Sequence, residues 1–91
     1  IFADRNYLDD GWLVPRTRPD ALLRDPAEAA QRVLRMLREG KVRSVEGRDV
    51  GVRGETICVH GDTPGAVEFA RELRMQLERE AVEIRAPQRL L

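Results

Sequence analysis

The run Thr56-Ile57-Cys58-Val59-His60 constrains the fold of this chain more than any other segment. It is an unbroken series of strand formers with no polar alternation, the pattern of a strand buried on both faces. A strand of that kind belongs to a parallel sheet layered with helices, so the run predicts an α/β class, a central strand, and a Cys58 buried as a small hydrophobe. Gly61 stops the strand, Asp62 or Thr63 can cap a succeeding helix, and Pro64 suits its first turn. Ala66, Ala70, Leu73 and Leu77, supported by Val67 and Phe69, then mark an amphipathic helix running to about Glu80. Val82 and Ile84 alternate with charged residues and predict one more short strand.

A second strand-and-helix unit precedes this one. Ile1-Phe2-Ala3 has the character of a strand end. Asp9-Asp10-Gly11 between Tyr7-Leu8 and Trp12-Leu13-Val14 supplies the positive φ angles of a tight hairpin. Pro15 and Pro19 place Arg16 to Arg18 in a loop. Asp25, Pro26 and Glu28 form a helix start, and Gly40 a left-handed stop. Between them Ala30, Val33, Leu34 and Leu37 follow one buried stripe, leaving Arg32, Arg35, Arg38 and Glu39 on a solvated face without a functional role. Val42, Val45, Val50 and Val52 around Glu46-Gly47-Arg48-Asp49 read as a second hairpin. The whole order is βα repetition decorated by β-hairpin arms.

Composition narrows the function classes. With 42% hydrophobic and 35% charged residues, the 91-residue chain is expected to be one soluble, globular unit. Sixteen basic residues balance sixteen acidic ones, which argues against nucleic acid as a partner. No apolar run approaches the roughly 20 residues that cross a bilayer, so no membrane association is expected. The single cysteine cannot close an internal disulfide and fits a reducing, cytoplasmic setting. Four aromatic residues give little large apolar payload, and few strands are visible. Both point to missing partner elements; a small self-sufficient α+β domain is the alternative. Unpaired edges and open apolar faces would be covered by a second copy, a homo-oligomer.

In α/β folds the site gathers at the carboxyl ends of the strands. Asp4-Arg5 follows the opening strand and His60-Gly61-Asp62-Thr63 follows the central one, so the two clusters are candidates to meet. His60, the sole histidine, can hold or transfer a proton near neutral pH, or simply bond a backbone carbonyl. Asp62 carries chemistry, caps the helix, or does both. Asp4-Arg5 is either a plain ion pair or part of a site in which Arg5 and Arg16 grip a carboxylate or phosphate. No Cys or His set has metal-ligand spacing, and no GxxxxGK[ST] loop occurs, so no complete metal or nucleotide site is expected here.

Phe2-Ala3-Asp4-Arg5, Leu13-Val14-Pro15-Arg16 and above all the block from Cys58 to Val67, CVHGDTPGAV, resemble the LamB/YcsF family in the same order along the chain. The resemblance covers essentially all 91 residues. Members are considerably longer, and their amino-terminal acidic, histidine and lysine motifs have no counterpart here. It therefore implies that residues 1–91 are the C-terminal fragment of a single α/β domain, a distorted (β/α) barrel of the glycoside hydrolase/deacetylase type. The implied activity is that of a 5-oxoprolinase, an ATP-dependent amidohydrolase that opens the lactam 5-oxoproline to glutamate. ATP with Mg²⁺ would act in the intact complex, with 5-oxoprolinase subunits B and C as partners, and the fragment alone would be inactive. Matching motifs carry over Asp4, His60 and Asp62 as catalytic candidates and Arg5, Arg16 and Thr63 as substrate- or phosphate-binding candidates. The rival readings are a fragment of a metal-dependent, deacetylase-like hydrolase and a non-catalytic assembly piece.

Overall fold

The computed structural model describes residues 1–60 and 65–85. The predicted caps place the first helix, α1, at Pro26–Glu39. Asp25 is extended and its carboxylate accepts the Ala27 N–H at 3.0 Å, with Pro26 in the first turn. At the other end Gly40 adopts φ +68° and its N–H bonds the Met36 carbonyl. The buried face is wider than the expected stripe. Ala29, Ala30, Val33, Leu34 and Met36 are buried, whereas Leu37 is 40% exposed. The helix packs against both the second helix and the strand that comes after α1, so two adjacent rows are covered and the row containing Leu37 outruns its cover.

The second hairpin forms as expected. Strands β1 (Lys41–Arg43) and β2 (Asp49–Gly51) pair antiparallel with Val42 opposite Val50. Ser44 organises the turn: its hydroxyl accepts the N–H groups of Glu46 and Arg48 and donates to Asp9 of the first hairpin. That first hairpin is also present, with Tyr7 opposite Leu13 and Gly11 at φ +87°. The Val45 N–H to Tyr7 carbonyl bond at 2.9 Å joins the two arms.

Helix α2 spans Ala66–Arg79. Its cap residue is Gly65 at φ +80°; the expected caps Asp62 and Thr63, with Pro64, lie outside the described residues. Leu73 and Leu77 are buried and Phe69 half-buried, but Ala70 is exposed and Val67 is 66% exposed. The helix ends in a Schellman motif: the Ala81 N–H bonds the Glu78 carbonyl and the Val82 N–H bonds the Leu77 carbonyl, both at 3.0 Å. The last predicted strand does not form through Arg85. Val82 and Ile84 instead lie half-buried against the core without a pairing neighbour among the described residues.

The run at 56–60 differs most from expectation. Ile57 and Val59 are half-buried, while Thr56 and Cys58 are exposed. It is therefore a one-faced extended segment. Among the described residues its backbone pairs with residues 1–3, through a parallel Phe2–Cys58 bridge, and only its odd-numbered side chains turn to the core. Among the described residues the architecture is a small α/β arrangement of two helices, one two-stranded sheet and single bridges between extended segments. No described helix is long and apolar enough to cross a membrane.

Two outcomes are expected from these contacts. Ala81 holds φ +63°, a left-handed conformation that costs a residue with a Cβ but not glycine. Ala81→Gly should stabilise the chain by about 0.5–1 kcal/mol, read as a higher denaturation midpoint. Arg35 grips Asp49 with bonds of 2.9 and 2.7 Å, and these hold the Asp49 carboxyl below its ordinary range. A depressed native value means that the stabilisation is complete above the unfolded carboxylate range, about pH 4, and is lost as pH falls through the native value. The difference in thermal midpoint between wild type and Asp49→Asn should accordingly be largest near neutrality and shrink toward zero in acid.

Candidate active site

Parallel pairing of two extended segments brings their carboxyl ends together. The Ala3 N–H bonds the Cys58 carbonyl at 3.1 Å and the Cys58 N–H bonds the Ile1 carbonyl at 2.7 Å. Asp4 and His60 each lie just beyond these bonds and meet side by side. The His60 N–H donates to Asp4 Oδ2 at 2.8 Å, and His60 Nδ1 lies 2.9 Å from Asp4 Oδ1. The Asp4 backbone is fixed in turn, since its carbonyl accepts the Leu23 N–H at 2.8 Å.

This geometry assigns the histidine's tautomer. Asp4 is 5% exposed and, as a carboxylate, can only accept, so the proton between the two groups belongs on Nδ1. Nε2 is left to act outward, as an acceptor in the neutral ring or a donor in the imidazolium. The Phe2 ring stacks on the imidazole at 5.7 Å between centroids and 13° between planes, which limits ring rotation. One side chain thus orients His60 through hydrogen bonds and a second through packing.

The pair opens on a cleft of about 560 Å³, within the size range of small-molecule sites. Besides Asp4 and His60, its lining includes Leu23 and Arg24 from the segment leading into α1, and Glu68 and Phe69 from α2. Among the described residues no group of three His, Cys, Asp or Glu side chains converges on a common point that could hold a metal ion.

Asp4 and Arg5, expected as a pair, separate. The chain bends at Ala3 and Asp4, between the bridges made by Phe2 and Arg5, and the two charged side chains take different partners. Arg5 is 7% exposed and its Nη2 donates to the Val14 carbonyl at 2.7 Å, away from the cleft, while its Nε is buried without a partner among the described residues. The Asp4–Arg5 ion pair is therefore not formed. Arg16 stands exposed in the loop after Pro15 and does not line the cleft. Asp62 and Thr63 lie outside the described residues.

Residues that the sequence left without a role are also drawn in. Arg32, assigned to a solvated face, is half-buried: it lies over the Tyr7 ring at 6.0 Å and donates to the Arg5 carbonyl at 3.1 Å. Burial pulls its pKa below the ordinary arginine value. Its helical row gave the available signal, because Arg32 lies three residues after the buried Ala29 and four before the buried Met36. Arg24 and Glu68 had no signal of their own, since isolated charged residues near helix ends are commonplace.

Comparison with known proteins adds identity to this geometry. The 5-oxoprolinase A subunit 2 of Bordetella bronchiseptica is 49% identical over 85 residues, covering 93% of this chain and 34% of that protein. The 5-oxoprolinase A subunit of Rhodopseudomonas palustris strain BisB5 is 55% identical over 78 residues, covering 86% of this chain and 31% of that protein. A crystal structure of the lactam utilization protein from Thermus thermophilus superposes with a TM-score of 0.85 at 48% identity, covering 94% of this chain and 34% of that one. The chain thus spans about a third of the length of the curated relatives that it matches. The LamB/YcsF profile matches residues 1–91, so the matched blocks, the geometry they build and the relatives agree that this chain belongs to the LamB/YcsF family.

Proposed function

We propose that this chain is the C-terminal third of the A subunit of a cytoplasmic, ATP-dependent 5-oxoprolinase, in which residues 1–91 complete a barrel-like α/β domain and the B and C subunits are partners. The observation that carries the reading is the Asp4–His60 pair, built from two of the blocks shared with the family and opening on a cleft of small-molecule size. Relatives of about 50% identity, named as the A subunit of 5-oxoprolinase, supply the reaction.

The chemistry asks for a proton at a defined place. An unstrained lactam resists water because nitrogen is a poor leaving group. Phosphoryl transfer from ATP to the lactam oxygen, for which Mg²⁺ would supply charge neutralisation, would release ADP and activate the carbon. Water then adds, the C–N bond breaks with its electron pair going to nitrogen, which must collect a proton, and hydrolysis of the resulting acyl phosphate releases phosphate and leaves glutamate. His60 Nε2 is assigned to deliver that proton. Asp4 fixes the ring and stabilises the imidazolium that carries the proton, as an orienting carboxylate does in hydrolase triads. Asp62 is assigned to orient or deprotonate water, and Thr63, Arg5 and Arg16 to the carboxylate or phosphate of bound species. Of these, Arg5 would act through the Val14 carbonyl that it holds.

The tautomer is open to direct observation. In ¹H–¹⁵N spectra of the neutral imidazole, His60 should carry its proton on Nδ1, and Asp4→Ala should shift the population toward Nε2–H. An unchanged tautomer would remove Asp4 from the site. For the reaction, the full-length protein combined with its B and C partners should form glutamate from 5-oxoproline and ATP. His60→Ala should lower kcat by roughly 10²–10⁴-fold with little change in KM. Turnover like wild type in that variant would overturn the site, and no turnover in the intact complex would overturn the function.

A further inference from the structure

The charged groups around the cleft are arranged by sign. Arg24 enters from the segment ahead of α1, and among the described residues its guanidinium makes no hydrogen bond or ion pair. From α2 come Glu68 and Glu72, four residues apart and so on one face of the helix. Among the described residues Glu68 has no partner, and Glu72 accepts a single long bond of 3.3 Å from Gln76 on the next turn. The Asp4–His60 pair lines the same cleft. A cleft that holds an unpaired cation in one segment and under-used carboxylates in another is matched to a ligand that is itself dipolar.

We infer that Arg24 anchors the carboxylate of an amino-acid ligand in this cleft, while Glu68 and Glu72 receive the positive charge that develops on its nitrogen. The inference rests on the lactam-opening function proposed above and deepens it by assigning the binding of substrate and product. In 5-oxoproline the carboxylate is present from the start, whereas the nitrogen is a neutral amide N–H. Ring opening turns that nitrogen into an amine, which takes up a proton and becomes an ammonium at neutral pH. The reaction therefore creates two charges, a negative one on the released γ-carboxylate and a positive one on the nitrogen atom. Carboxylates placed beside that atom interact more strongly with the opening state and the product than with the lactam, the condition under which binding energy assists the chemical step. Arg24 interacts equally throughout and sets affinity.

Four small molecules test the two halves separately in titrations of the ¹⁵N-labelled full-length protein. 5-Oxoproline carries carboxylate and lactam, pyrrolidin-2-one the lactam alone, L-glutamate carboxylates and ammonium, and glutarate carboxylates alone. 5-Oxoproline, glutamate and glutarate should saturably shift the amides of Leu23, Arg24, His60 and Phe69. Arg24→Gln should weaken all three by roughly 10- to 100-fold, the loss expected for a charge-assisted hydrogen bond, and leave pyrrolidin-2-one unchanged. The double variant Glu68→Gln/Glu72→Gln should weaken glutamate about 10-fold relative to glutarate, with 5-oxoproline little affected. Arg24 is exposed, so the variant's own spectrum should retain the native dispersion. If 5-oxoproline binds and Arg24→Gln leaves its affinity unchanged, the anchor is wrong and the proposed substrate stands. If glutarate and glutamate bind through Arg24 but 5-oxoproline does not, the anchor stands and the lactam reading falls. Absence of any carboxylate response at these amides overturns the inference.

Discussion

The parallel pairing of residues 1–3 with residues 56–58 is the contact on which the candidate site depends. It joins parts of the chain that are 55 and 56 residues apart, and it consists of a few main-chain hydrogen bonds extended by the Asp4–His60 contacts. Closing a loop of that length costs entropy that local hydrogen bonds cannot offset alone. The core supplies the difference. Ala3, the buried rows of α1, and Leu73 and Leu77 of α2 form one apolar cluster, with Ile57 and Val59 packed at its margin. The dyad is thus held by burial beneath it, and its geometry comes from parallel strand register, which sets the residues just past the last bonds side by side.

The interior also holds charge in an unusual form. Arg5 and Arg32 are drawn inward and bond backbone carbonyls, not carboxylates. Arg5 holds Val14 at the start of the loop that bears Arg16, and Arg32 holds the Arg5 carbonyl from α1. A guanidinium suits this use, because its several fixed donors bridge segments while its long stem packs as apolar surface. Each retains one buried N–H without a partner among the described residues, on Nε of Arg5 and Nη1 of Arg32. Those two groups carry a desolvation cost that the surrounding packing offsets. The chain arms therefore rest on polar cross-links as well as on the apolar core.

Much of the local structure was legible in the residues themselves. Asp25-Pro26 and Gly40 bound the first helix because capping and left-handed φ are properties of single residues and their neighbours. Asp10-Gly11 and Glu46-Gly47 turned the hairpins for the same reason. Where expectation and structure differ, the cause is a packing partner. Cys58 is exposed because burial of an apolar run depends on what covers each face, which alternation within five residues cannot report. Leu37 lost its burial to Met36 for the equivalent reason on a helix, since the covered arc depends on how many elements pack against it. Ala81 shows the converse case: the Schellman geometry closes α2 although no glycine announces it.

By itself the sequence determined the two helices, the caps of the first, the turns of both hairpins, and the membership of Asp4 and His60 in two blocks at the ends of extended segments. These features arise from backbone preferences and side-chain chemistry that act over a few residues. Only the tertiary structure decided that Asp4 and His60 touch while Asp4 and Arg5 part, that Arg32 turns inward, and that Arg24 and Glu68 share a cleft with the dyad. Register, helix rotation and the direction of alternate side chains are set by long-range packing. A change of one residue in register would exchange Asp4 for Arg5 at the cleft, and no local preference distinguishes those two outcomes.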